Sequence, residues 1–172
     1  MDLKSVIRDI PDFPKPGILF RDITPITEQP DAFRTALTGL QALVGDVDFN
    51  KFGAIESRGF IFGAPLAVEM DRGMHLLRKA GKLPGSTRAA TYALEYGEAT
   101  LEAHLDSFEP GDRVVLVDDL LATGGTAAAA AQLVTEAGAE VAGFLFLVEL
   151  EFLQGREKLA ATAPVYSLVN YS

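Results

Sequence analysis

One segment constrains this chain more than any other: Val114-Val115-Leu116-Val117-Asp118-Asp119-Leu120-Leu121-Ala122-Thr123-Gly124-Gly125-Thr126. Four consecutive apolar residues, three of them β-branched, suit a central parallel strand that is covered on both faces. Two adjacent acids follow, then a loop of small residues. An alanine-rich run from Thr126 to Ala137 reads as a helix that stops at Gly138. Strand, tight loop and helix in that order place the loop at the carboxyl end of the strand, where open α/β sheets bind ligands. Glycines let backbone N–H groups approach an anion closely, and the helix that follows adds its positive end. Ala122, Thr123, Gly124, Gly125 and Thr126 are therefore candidate phosphate-binding residues, with two hydroxyls among them. Asp118 and Asp119 would repel a phosphate. They suit the two hydroxyls of a ribose, which donate hydrogen bonds to carboxylates.

The loop lacks the Gly-Lys-Ser/Thr ending of a nucleotide triphosphatase and the Gly-x-Gly-x-x-Gly of a dinucleotide site. The alternative is a strand–turn–helix whose glycines serve packing alone. That reading leaves two acids at a buried strand end unexplained.

The rest of the chain alternates in the same way. A short helix is predicted over 2–10, followed by the proline-rich stretch Pro11, Pro14, Pro16, Gly17 and an apolar segment Ile18–Ile23. After Pro30, the residues Phe33, Ala36, Leu37, Leu40, Leu43 and Val44 recur at helical spacing. Phe52–Ile55, Met74–Leu77, Val141–Val148 and Val165–Val169 read as strands. Helices are predicted from Gly59 to about Met70 and near Leu153–Leu159, and a hairpin around Gly97. This order implies an α/β fold, a mostly parallel sheet flanked by helices, in one domain over 1–172.

Charge narrows the function. The net charge is −9, from 15 Lys+Arg against 24 Asp+Glu, so the surface repels nucleic acid. There are no cysteines, which excludes disulfides, thiolate metal sites and cysteine nucleophiles. No apolar stretch reaches membrane-spanning length and the N-terminus is not of the secretory kind, so a cytoplasmic protein is expected. Within this acidic chain Arg78, Lys79, Lys82 and Arg88 crowd a loop carrying Gly81, Pro84 and Gly85. Such a positive island can be a solvated loop, or can neutralise an anionic leaving group.

The segment 114–126 resembles the 5-phosphoribosyl-1-pyrophosphate (PRPP) signature of type I phosphoribosyltransferases. The likeness to the adenine-using branch of that family extends over almost the whole chain. It runs through Pro11-Asp12-Phe13-Pro14, Gly17-Ile18-Leu19-Phe20-Arg21-Asp22-Ile23, Ser57-Arg58-Gly59-Phe60, Arg78-Lys79, Gly81-Lys82-Leu83-Pro84-Gly85, Leu94-Glu95-Tyr96-Gly97 and Leu147-Val148-Glu149-Leu150. The resemblance implies a type I phosphoribosyltransferase fold with a small N-terminal hood. The reaction implied is transfer of phosphoribosyl from PRPP to adenine, giving AMP and pyrophosphate, a purine-salvage step.

The resemblance also distributes roles. Arg58, Arg78, Lys79 and Lys82 would meet pyrophosphate, with Lys82 in a mobile lid, and Leu19, Phe20, Arg21 and Leu150 would surround adenine. Glu95 would exchange a proton with the base, Tyr96 would close over the reacting centre, and Glu95, Arg58 and Lys82 form the catalytic set. Mg2+ would arrive on the oxygens of PRPP rather than in a protein cage, and a homodimer is implied. Ala80 departs from the pattern, since the family often has a third cation there. No lysine of the hypoxanthine-guanine type stands at Leu147–Leu150, which favours adenine. The competing readings are a phosphoribosyltransferase for another base, a non-catalytic PRPP-sensing regulator, and a PRPP-making kinase-type protein. A regulator would need a DNA-binding segment or basic surface, and a PRPP-making protein more chain and an ATP site.

Overall fold

A computed structural model describes residues 1–94 and 97–172. The predicted helix over 2–10 is not present. Only Leu3–Ser5 is helical, a 3-10 turn capped by the Asp2 carboxylate, which accepts the Lys4 N–H at 3.0 Å. Arg8–Pro11 is instead a strand, β1, paired antiparallel with β2 at Leu19–Asp22. Proline explains the difference, because it cannot donate into a helix and drives the residue before it to extended backbone. Between the strands Phe13–Pro14 is cis, and Gly17, at φ +87°, donates its N–H to Asp12 Oδ1 at 2.7 Å. This ribbon is the expected hood.

Two helices follow, α1 at Thr24–Glu28 and α2 at Pro30–Val44, each with proline in its first turn, where a missing N–H costs nothing. Of the predicted α2 stripe, Ala36, Leu37, Leu40 and Val44 are buried and Phe33 and Leu43 half-buried, and Ala32 joins the buried face.

The body comprises β3 (Lys51–Ile55), α3 (Gly59–Glu69), β4 (Gly73–Lys79), β5 (Thr87–Ala93), β6 (Glu98–His104), β7 (Arg113–Leu121), α4 (Gly125–Glu136), β8 (Glu140–Leu150), α5 (Gly155–Ala160) and β9 (Val165–Tyr171). The strand order is β5-β6-β4-β3-β7-β8-β9. β4, β3, β7, β8 and β9 are parallel, and β5 and β6 add an antiparallel edge. One face packs Phe52, Val115, Val117, Leu145 and Leu147 against α2 and α3. The other packs Leu77, Leu116, Phe144 and Phe146 against α4. β7 is longer than its apolar run predicts, because pairing with β8 continues to Leu121↔Glu149. Asp118 and Asp119 therefore lie within the strand and share its rigidity.

Candidate active site

At the carboxyl end of β7 the two acids differ sharply. Asp119 is buried and accepts Arg58 Nε on Oδ2 at 2.6 Å. Asp118 accepts the Asp119 N–H at 2.8 Å, and part of it reaches the cleft. Burial first, and then the charge of Asp119, push the Asp118 carboxyl well above its ordinary range. Two acceptors one residue apart, one tied to a cation and one reluctant to ionise, can receive two hydroxyl donors.

Beyond them the loop turns through Gly124, at φ +79°, into the N-terminus of α4. Ala122 to Thr126 line a small cavity of about 90 Å³ with Asp118 and Phe146. Two glycines outside the motif give the loop its room. A Cβ on Gly59 would lie 2.7 Å from Val117 O, so only glycine lets α3 start this close to β7. A Cβ on Gly155 would lie 2.2 Å from Ala122 O and 3.0 Å from Gly124 N. The start of α5 is thus the floor under the phosphate loop. The neighbouring Arg156 fixes that floor by reaching both oxygens of Glu149, a carboxylate 2% exposed, and by donating to Val165 O and Ser167 Oγ.

A cleft of about 380 Å³ opens beside the acids. It is lined by Glu56, Ser57, Arg58, Lys79, Tyr92, Asp118, Asp119, Leu120, Ala122 and Thr126. The Glu56–Ser57 peptide is cis. Arg78 and Lys82 stand at the rim. Both donate to Glu56, Arg78 Nε at 3.2 Å and Lys82 Nζ at 2.7 Å. Of the four cations expected in the loop Lys82 is there, whereas Arg78 and Lys79 end β4 and Arg88 belongs to β5, opposite Ala103. Between β4 and β5, Gly81 and Gly85 both have φ +78°, a conformation that L side chains resist, which explains the glycines of this turn.

The base-site candidates do not line the cleft, and of them Phe20 touches a residue that does. Arg58 lies 5.9 Å over the Phe20 ring while bonded to Asp119, so one arginine links the hood to the acid pair. Arg21 is committed elsewhere: its guanidinium pairs with Asp9 and lies 3.9 Å over Tyr171. Its side chain anchors the hood, and only its backbone is left for recognition. Leu150 is in register with Tyr171, and Leu19 is 44% exposed. Glu95 and Tyr96 lie outside the described residues.

A cleft that offers hydroxyl acceptors, an anion loop and a cationic rim within one site suits a sugar phosphate bearing a second phosphorylated group, the donor of a phosphoribosyltransferase. The family model described as the phosphoribosyl transferase domain matches residues 51–170. Adenine phosphoribosyltransferase of Nitrosococcus oceani is 56% identical over 169 residues, covering 98% of each chain, and that of Kosmotoga olearia is 52% identical over 171 residues, covering 99% of this chain and all of its own. The adenine phosphoribosyltransferase structure from Thermoanaerobacter pseudethanolicus superposes with a TM-score of 0.96 at 47% identity, covering 99% of this chain and 98% of that one. The Saccharomyces cerevisiae enzyme, solved with an imino-altritol bisphosphate and adenine, gives 0.91 at 41%, covering 97% and 96%. The chain belongs to the adenine phosphoribosyltransferase family.

Proposed function

We propose that the 1–172 chain, as one domain, transfers phosphoribosyl from PRPP to adenine in this cleft, giving AMP and pyrophosphate. The observation that carries the reading is one cavity lined by the Asp118–Asp119 pair, by Arg58 bonded to Asp119, by Lys79 and by Thr126 at the glycine-opened start of α4. The C1–O bond to pyrophosphate breaks with its electron pair leaving on oxygen. A bond from a purine ring nitrogen to C1 forms, and the ring proton passes to Glu95 or to solvent. The transition state is oxocarbenium-like, so holding the sugar and neutralising the leaving group do most to lower the barrier. Asp118 and Asp119 hold the ribose hydroxyls, residues 122–126 the 5-phosphate, and Arg58, Arg78, Lys79 and Lys82 the pyrophosphate. Leu19, Phe20, Leu150 and the backbone at Arg21 receive the base, and Tyr96 closes over it.

Mg2+ would supply further charge neutralisation on the pyrophosphate oxygens. Among the described residues no group of three or more His, Asp or Glu could cage it. The acid pair suits an ion that keeps most of its water, with Asp118 and Asp119 accepting from that shell. No helix of the described residues is long and apolar enough to cross a membrane, in keeping with a cytoplasmic enzyme. The homodimer is supported by Ile61 and Val68, which are exposed on one face of α3. Incubation with PRPP, magnesium and adenine should give AMP and pyrophosphate in equal amounts. No AMP under those conditions would sink the proposal.

Four substitutions test the roles. Asp118→Asn and Asp119→Asn should each raise the KM for PRPP about tenfold, the scale of one hydrogen bond to a charged group. Protonation removes the same acceptor, so in the unaltered enzyme this KM rises as pH falls through the raised pKa of Asp118. Unchanged KM in both variants eliminates the ribose-holding role. Lys82→Ala should lower kcat about tenfold with little change in Tm, because its side chain is half exposed. A lower Tm with normal kcat would make Lys82 structural. Glu95→Gln should slow single-turnover AMP formation about tenfold, or about 1.4 kcal/mol, at near-normal PRPP affinity. A normal single-turnover rate would remove Glu95 from the mechanism.

A further inference from the structure

Glu56 faces the cations of the rim rather than the sugar acceptors. Its side chain is 6% exposed, and both oxygens are taken. Oε1 accepts Lys82 Nζ at 2.7 Å, and Oε2 accepts Arg78 Nε at 3.2 Å and the Lys79 N–H at 2.9 Å. Arg78 also donates to Lys82 O at 3.3 Å, so the two cations are held as one group. Burial raises the Glu56 carboxyl pKa, but the Lys82 and Lys79 hydrogen bonds and the charges of Lys82 and Arg78 outweigh it and hold the group below its ordinary range. Glu56 also lines the cleft beside Ser57 and Arg58.

This arrangement sets up a competition. Lys82 is a single ammonium, and its contact with Glu56 and a contact with a bound anion draw on the same three donors. A pyrophosphate in the cleft therefore competes with Glu56 for the charge of Lys82 and Arg78. We propose that Glu56 is a positioning residue: a counter-ion that keeps Lys82 and Arg78 beside the empty cleft and reclaims them as pyrophosphate leaves, so that its charge limits how tightly that product is held. The inference rests on the reading of this cleft as the pyrophosphate site. A purely structural Glu56 would behave differently, since its loss would lower Tm and weaken or leave unchanged every ligand.

The test is calorimetric titration of the whole enzyme with magnesium pyrophosphate. Glu56→Gln, which keeps the shape and removes the charge, should tighten pyrophosphate binding about threefold to tenfold, the scale of two half-exposed ion pairs. Glu56→Asp keeps the charge but withdraws it by one methylene, and should bind pyrophosphate between wild type and Glu56→Gln. In a Lys82→Ala background the tightening caused by Glu56→Gln should shrink, because one of the competing cations is gone. Equal or weaker pyrophosphate binding in Glu56→Gln and in Glu56→Asp would overturn the proposal. Failure of the wild-type protein to bind pyrophosphate would sink the cleft reading itself, and this inference with it.

Discussion

Adenine is expected to exceed hypoxanthine and guanine by about 10²–10⁴-fold in kcat/KM. Each 6-oxopurine presents an acceptor where adenine has its 6-amino donor, and a ring N–H where adenine has an acceptor. Each mismatch leaves a group unpaired once the base is enclosed, at about 1–3 kcal/mol apiece, and two such costs span that range. Sites that read polar edges discriminate strongly for this reason. On this proposal the reading edge is β2, which has β1 on one side and no strand on the other among the described residues, so alternate backbone groups face outward. In the proposed base site Leu19 and Leu150 would supply apolar surface for the ring faces. Steady-state kinetics with the three bases at saturating PRPP decide it. Comparable rates with hypoxanthine would overturn the substrate, though not the class of reaction.

The second large effect lies where the sequence motif does not point. Gly155→Ala should lower kcat/KM for PRPP at least about a hundredfold, or about 2.7 kcal/mol, while the fold persists. The added Cβ meets Ala122 O at 2.2 Å, Leu121 Cδ1 at 2.9 Å and Gly124 N at 3.0 Å. Two of these are backbone atoms of the phosphate loop, so no side-chain rotation relieves the overlap. Gly155 does not have positive φ, so alanine brings no backbone strain of its own. The loop must therefore move, and misplacement by about 1 Å can cost about 10² in rate. Circular dichroism would check the fold beside the kinetics. A normal KM for PRPP in Gly155→Ala would mean that the loop has slack and that α5 is not its floor.

What the sequence made legible follows from how local each feature is. The strand, acid pair, loop and helix from Val114 to Ala137 are consecutive, so their pattern shows directly. The same holds for the amphipathic stripe of α2 and for the turn glycines of the cationic rim. Gly155 under Ala122 and Glu56 under Lys82 are contacts between distant positions, and neither leaves any periodicity. A glycine opening a short helix was the available hint for Gly155. A carboxylate beside Ser57-Arg58-Gly59, in a chain whose cations cluster once, was the hint for Glu56. The missed β1 has a different cause, because its signal lay in Pro11 at its end and the prolines that follow rather than in any strand periodicity. Arg21 shows the opposite limit. Its motif position implied a base-site role, yet contacts with Asp9 and Tyr171 reserve its side chain for anchoring the hood.

The most direct test is a crystal structure of the enzyme with magnesium and a non-reactive PRPP analogue. The two ribose hydroxyls should lie about 3 Å from carboxylate oxygens of Asp118 and Asp119, with the 5-phosphate on N–H groups of residues 122–126. The same map should show pyrophosphate oxygens on Arg58 and Lys79. A sugar bound away from Asp118 and Asp119, or a 5-phosphate outside the loop, would contradict the account.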